Sequence, residues 1–161
     1  MITDVLTSIA EIAITLAGFT GLLVAFRSSR TSVSEELRRI AYIFAFCFVA
    51  VVGSFLPTIA ELFAPDTALP WKLPLGFVAV SALLIGGIAI VQSLQQRITV
   101  RFPIVTYSMV AVLLTVGSLL FLVLFEAIPG NPFGYLLVGV LWCVAHAGYL
   151  FVSTLFWARV D

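Results

Sequence analysis

Charged side chains are scarce in this sequence. Only 10% of its 161 residues are charged, eight of them basic and eight acidic, so the formal net charge is zero. A soluble domain carries roughly 25% charged residues, so this composition argues against a water-soluble globule. The balanced charge also gives no basic surface that would attract a nucleic acid, and we predict no nucleic-acid partner.

Cysteine and histidine are scarce as well, with two cysteines and one histidine. Cys47 and Cys143 lie within apolar segments, so the sequence predicts no disulfide framework. His146 and Cys143 are one helical turn apart, but together they supply too few ligands for a metal, and we predict no metal and no cofactor. His146 then has two main interpretations, a hydrogen bond to a neighbouring helix or proton transfer. Haem ligation would require a second subunit.

Common catalytic motifs are missing. The sequence contains no H-E-x-x-H, G-x-S-x-G, P-loop, G-x-G-x-x-G or C-x-x-C pattern. The spacing of its carboxylates relative to His146 also resembles no nucleophile–base pair or carboxylate dyad. We therefore expect that the protein is not an enzyme. An intramembrane enzyme or redox protein, centred on His146, is the alternative.

Long apolar runs, by contrast, are abundant. Hydrophobic residues make up 62% of the chain, and its mean hydropathy is +1.20. Each run is long enough to cross a hydrocarbon core of about 30 Å as a helix, and none alternates as a transmembrane β-strand would. The sequence predicts an all-α integral membrane protein, one membrane domain (1–161) formed by a bundle of five transmembrane helices. These helices are predicted near 5–26, 37–63, 73–96, 104–127 and 133–157.

The basic residues predict the orientation in the membrane, because lysine and arginine near span ends stay on the cytoplasmic side. Lys72 alone falls on the side of the amino terminus. We therefore predict an outside amino terminus and a cytoplasmic carboxy terminus, in the inner (cytoplasmic) membrane of a bacterium. The residues that predict the cytoplasmic side are Arg27, Arg30, Arg38, Arg39, Arg97, Arg101 and Arg159.

Four ionisable residues lie inside or at the edge of the predicted spans: Glu11, Glu61, Glu126 and His146. Each is costly in hydrocarbon, so each needs a partner, a water-filled cavity or a function. Glu11 lies about six residues, roughly 9 Å, into the first span. We expect a polar interior beside Glu11 and all three carboxylates in the outer half of the membrane.

Helical spacing places small and hydroxyl residues in stripes on three of the spans. We expect these stripes to face protein rather than lipid, either for close helix packing or to line a polar path. The stripes are Asp4, Thr7, Ser8, Glu11, Thr15 and Gly18 on the first span; Cys47, Ala50, Ser54, Thr58 and Glu61 on the second; and Ser108, Ala111, Thr115, Ser118 and Glu126 on the fourth.

Two functions follow from this pattern as hypotheses. The first is an oligomeric proton or cation channel or carrier with an outward-facing acidic vestibule. The alternative is a structural or regulatory subunit that docks another membrane protein, so the predicted partners are the bilayer and either further copies or a membrane protein. The predicted pathway is Glu11, Thr15, Ser54, Thr58, Glu61, Thr115, Ser118, Glu126 and His146. The predicted packing and hinge positions are Ala17, Gly21, Ala25, Gly53, Pro57, Gly86 and Gly87.

Overall fold

The structure is a computed structural model that describes residues 2–26, 33–95 and 103–157, and these residues form five α-helices. All five are long and apolar enough to cross a membrane, which confirms the prediction of five long apolar helices and indicates a multi-pass membrane protein. The helices are α1 (Ile2–Phe26), α2 (Val33–Phe63), α3 (Leu69–Leu94), α4 (Pro103–Leu124) and α5 (Pro132–Trp157).

Local sequence signals explain where several helices begin and end. Asn131 precedes α5, and its side-chain oxygen accepts a hydrogen bond from the Phe133 backbone N–H at 3.0 Å, while Pro132 occupies the first helical position. α3 begins at Leu69, before the predicted 73, because Pro70 lies in the first turn, where a missing N–H costs nothing. The turn between α2 and α3 is correspondingly shorter than predicted.

Neighbouring helices run antiparallel. Tyr42 in the first third of α2 contacts Gln92 near the end of α3, and Thr106 near the start of α4 contacts Tyr149 in the last third of α5. The seven steps from Phe26 to Val33 span at most about 25 Å, shorter than the roughly 37 Å of α1, so α2 must start where α1 ends. The amino-terminal end of the bundle therefore holds the starts of α1, α3 and α5 and the ends of α2 and α4.

α5 packs against all four other helices. Each of the remaining helices contacts its neighbours in sequence, and α1 and α4 do not contact each other among the described residues. The core of the bundle is largely apolar. Its fully buried residues include Ile43, Val78, Leu120 and Leu136. α1 and α4 thus lie on the flanks of the bundle, and each leaves one face uncovered.

Hydrogen bonds between side chains join the helices at the carboxy-terminal end of the bundle. The Tyr42 hydroxyl donates to Gln92 Oε1 at 3.0 Å and joins α2 to α3. Ser93 and Tyr107 lie 2.7 Å apart and join α3 to α4, and the Thr106 and Tyr149 hydroxyls, 3.0 Å apart, join α4 to α5. These three tyrosines form a polar layer at one end of the apolar bundle.

Trp71 marks the opposite end, where its ring contacts Phe133 edge-on at 6.1 Å between centroids. From Trp71 to Gln92, α3 rises about 31 Å at 1.5 Å per residue. This is close to the roughly 30 Å thickness of the hydrocarbon core, and tryptophan and tyrosine prefer its two boundaries. Trp71 and the tyrosine layer are therefore about as far apart as the two boundaries of a hydrocarbon core.

Candidate functional site

The packing of α1 turns Glu11 outward. Leu6, Ile9, Ala10 and Ala13 are buried at the helical spacing that forms one face, and that face packs on α2 and α5. Glu11 lies on the opposite, exposed side. An apolar face thus covers the core, and the helix leaves its carboxylate on the surface of the bundle.

Two threonines flank Glu11 one turn away on either side. The Thr7 hydroxyl donates to the Thr3 carbonyl at 2.8 Å, and the Thr15 hydroxyl donates to the Glu11 carbonyl at 2.7 Å. Each hydroxyl has a single proton, and the backbone already accepts it. These threonines therefore present only oxygen lone pairs to whatever lies against this side of α1. We call the side formed by Thr7, Ser8, Glu11 and Thr15 the polar face of α1.

The other predicted stripes are placed differently. The α4 stripe, including Thr115 and Ser118, is exposed along its length, whereas Ser54 of the α2 stripe is buried. Thr58 and Glu61, further along α2, are exposed. The expectation that all three stripes face protein is therefore wrong within this chain for α1 and α4, because other faces of those helices, such as the one with Ile9 and Ala13 on α1, pack on their neighbours.

Glu126 lies just beyond α4 and pairs with Lys72, whose Nζ is 2.7 Å from the Glu126 Oε1. Glu126 has φ of 60°, a left-handed conformation that glycine normally supplies. Its N–H donates to the Val123 carbonyl, and the Ala127 N–H donates to the Leu122 carbonyl, which is the Schellman arrangement that ends a helix. Hydrogen bonding and charge attraction from Lys72 lower the pKa of Glu126. This carboxylate forms a surface contact between α3 and α4.

His146 is buried between α2 and α5, with 4% of its surface exposed. Its ring lies 4.8 Å from the Phe46 ring and 6.1 Å from the Trp142 ring, measured between centroids. Within the described part of the chain, His146 Nδ1, Trp142 Nε1 and Ser54 Oγ have no hydrogen-bond partner. Two aromatic rings thus lie against the buried histidine.

The nine predicted pathway residues do not form one continuous path inside this chain. Ser54 and His146 are the two buried members, and the other seven are exposed. Residues 2–26, 33–95 and 103–157 contain no group of three or more histidine, cysteine or carboxylate side chains that could hold a metal. Within the described residues, the predicted pathway therefore does not line the interior of one chain, and the polar face of α1 is the strongest candidate site.

No family model, curated protein or solved structure matches this chain. Its function is therefore inferred from its own residues.

The predicted packing and hinge residues differ in their surroundings. A Cβ on Gly53 would lie 2.8 Å from Val78 Cγ2, and one on Gly86 would lie 2.7 Å from Leu114 Cδ2, so both allow close helix contacts. A Cβ on Gly21 or Gly87 would meet nothing within 4 Å. Among the others, Ala17 is half-buried, Ala25 is exposed, and α2 continues through the buried Pro57.

Sequence reasoning missed Gly139 and the tyrosine layer. A Cβ on Gly139 would lie 2.7 Å from Leu120 Cδ1, so α5 needs glycine there to approach α4. The signal for Tyr42, Tyr107 and Tyr149 was their position near the ends of apolar runs, where amphipathic rings are typical. Their partners on other helices could not be identified from sequence spacing.

Proposed function

We propose that this protein is a structural or regulatory membrane subunit that docks another membrane protein through the polar face of α1. The observation that carries this proposal is the outward position of Glu11 on a helix long and apolar enough to span a membrane. The protein is oriented with its amino terminus outside and its carboxy terminus in the cytoplasm of a bacterial cell. Arg38 and Arg39, which lie near the start of α2 at the carboxy-terminal end of the bundle, support this orientation.

Lipid is a poor environment for the polar face. The apolar stretch of α1 runs from Thr3 to Ala25. Glu11 lies eight residues, or about 12 Å, from its first residue and fourteen residues, or about 21 Å, from its last. A charged side chain near the middle of a transmembrane helix costs about 2.5–3.5 kcal/mol even on lenient scales. Its exposed neighbours Ile12 and Ile14, by contrast, are suited to acyl chains. A protein partner that covers Glu11 removes this cost.

Site-specific photocrosslinking in native membranes tests the docking. A photoreactive amino acid replaces Thr15 on the polar face or, as a control, Leu84, which is 61% exposed on α3. Docking predicts that position 15 crosslinks to one other protein, with a lower yield in the Glu11→Gln variant. Position 84 should give no such product. Equal labelling from both positions, or no protein adduct from position 15, would contradict docking.

An oligomeric proton or cation conduit is the second candidate, and one observation favours it. Glu11 and its flanking threonines lie together on one exposed face, which in a symmetric assembly of several copies would surround the central axis. Proton flux into vesicles containing the purified protein, measured with a pH-sensitive dye, tests this function. Conduction predicts flux that falls at least several-fold in Glu11→Gln, whereas flux that is absent or insensitive to Glu11 excludes this role.

A further inference from the structure

The chemistry of the polar face of α1 indicates what kind of partner fits it. We propose that the partner contributes a transmembrane helix whose lysine or arginine lies at the depth of Glu11 and forms an ion pair with its carboxylate. This inference rests on the proposed docking function and adds the chemistry of the partner. Three features of the described residues support it.

The first feature is that the polar face is dominated by acceptors. Thr7 and Thr15 already donate their hydroxyl protons to the carbonyls of Thr3 and Glu11, so neither can donate to the Glu11 side chain. An ionised carboxylate has about four acceptor positions. Ser8, three residues before Glu11, adds one hydroxyl donor, which is too few for the about four acceptor positions. The missing donors must come from another helix.

The second feature is the low dielectric around Glu11. The exposed side chains beside it include Ile12 and Ile14, each 55% exposed, and no basic residue lies on α1 within the described residues. A cation brought to this carboxylate is therefore poorly screened, and charge-assisted hydrogen bonds are strongest in such surroundings. Lysine and arginine supply several donors together with the opposite charge.

The third feature is that the basic residues of a second copy, among those that the structure describes, do not match Glu11 in depth. Copies in one membrane share an orientation, so each basic residue lies at a fixed depth. Arg38 and Arg39 lie near the start of α2, at the carboxy-terminal end of the bundle. Lys72 lies near the start of α3 and already pairs with Glu126 at 2.7 Å. The partner that matches Glu11 is thus a different protein.

Binding of designed helices to the purified full chain in lipid vesicles tests this. Three peptides are compared, each a 23-residue leucine–alanine transmembrane helix with lysine, glutamine or leucine nine residues from its outer end, the position of Glu11 in the stretch from Thr3 to Ala25. Binding is followed by energy transfer from a donor dye on the protein. The lysine peptide is expected to bind the native chain roughly tenfold more tightly than it binds Glu11→Gln. The leucine peptide should bind both equally. Glu61→Gln, which changes an exposed carboxylate at the end of α2, is the matched control and should bind like the native chain.

The outcomes separate this inference from the docking function. Equal binding of the lysine peptide to the native chain and Glu11→Gln overturns the inference, as does equal binding of the lysine and glutamine peptides to the native chain. Energy transfer between labelled copies that disappears in Glu11→Gln would make a second copy the occupant and would also overturn it. If the lysine peptide fails while position 15 still crosslinks to another protein, docking stands and only the basic partner is refuted.

Discussion

At the scale of single residues, Glu126 combines an unfavourable backbone with a favourable side-chain contact. A non-glycine residue in the left-handed region is sterically strained, and such strain persists where the surroundings hold the residue in place. Here the surroundings include Lys72, whose ammonium group is 2.7 Å from the carboxylate. Glu126 thus acts as a helix-terminating residue and as a contact between α3 and α4.

This geometry predicts different melting temperatures for two substitutions that both remove the ion pair. Glu126→Gln keeps the strain and loses the ion pair, so it should lower the melting temperature in detergent at pH 7. Glu126→Gly loses the same pair but relieves the strain, so it should melt roughly 2–4 °C above Glu126→Gln. Thermal unfolding followed by circular dichroism measures both. A glycine variant that melts below the glutamine variant would show that the backbone at this position is not strained.

The same ion pair gives a pH dependence with a definite sign. The folded-state pKa of Glu126 lies below its ordinary value, so its stabilising contribution is present at neutral pH and is lost as the pH falls through the lowered pKa. The difference in melting temperature between the native chain and Glu126→Gln should therefore shrink as the pH falls below about 4. A difference that stays constant from pH 7 to pH 3 would contradict the pairing.

At the scale of helices, two adjacent glycines in α3 have contrasting surroundings. A Cβ on Gly86 would meet Leu114 Cδ2 at 2.7 Å, whereas a Cβ on Gly87 would meet nothing within 4 Å. Gly86→Leu should destabilise the bundle by about 1–3 kcal/mol, because it forces α3 and α4 apart. Gly87→Leu is the control and should melt close to the native chain. Equal losses in the two variants would contradict the α3–α4 packing.

The sequence was sufficient to predict the five helices but not to predict which face of each helix packs on its neighbours. A run of more than twenty apolar residues predicts a span from its length alone, since the bilayer thickness sets the requirement. Periodicity also showed that Glu11 and Thr15 share a face of α1. It could not show which side packs on α2, because the opposite face, with Ile9 and Ala13, is equally periodic and better suited to close contact. The pairing of Lys72 with Glu126, 54 positions apart, depends on the packing of α3 on α4 and left no local signal.

At the scale of the whole molecule, the proposed orientation makes a direct prediction. A reporter that is active only outside the cytoplasm, fused after Asp66 between α2 and α3, should be active. The same reporter fused after Asn131, in the turn before α5, should also be active, because both turns lie at the amino-terminal end of the bundle. A reporter fused at the carboxy terminus should be inactive. The reverse pattern would invert the proposed orientation while leaving the five helices unchanged.

Different interactions connect the helices at the two ends of the bundle. Uncharged hydroxyl contacts of Tyr42, Tyr107 and Tyr149 join successive helices at one end, whereas the ion pair of Lys72 and Glu126 joins α3 to α4 at the other. Ionic strength screens exposed charges but leaves neutral hydrogen bonds nearly unchanged. Concentrated salt should therefore loosen the contact between the start of α3 and the end of α4 first, and amide hydrogen exchange there should accelerate before it does near the tyrosines.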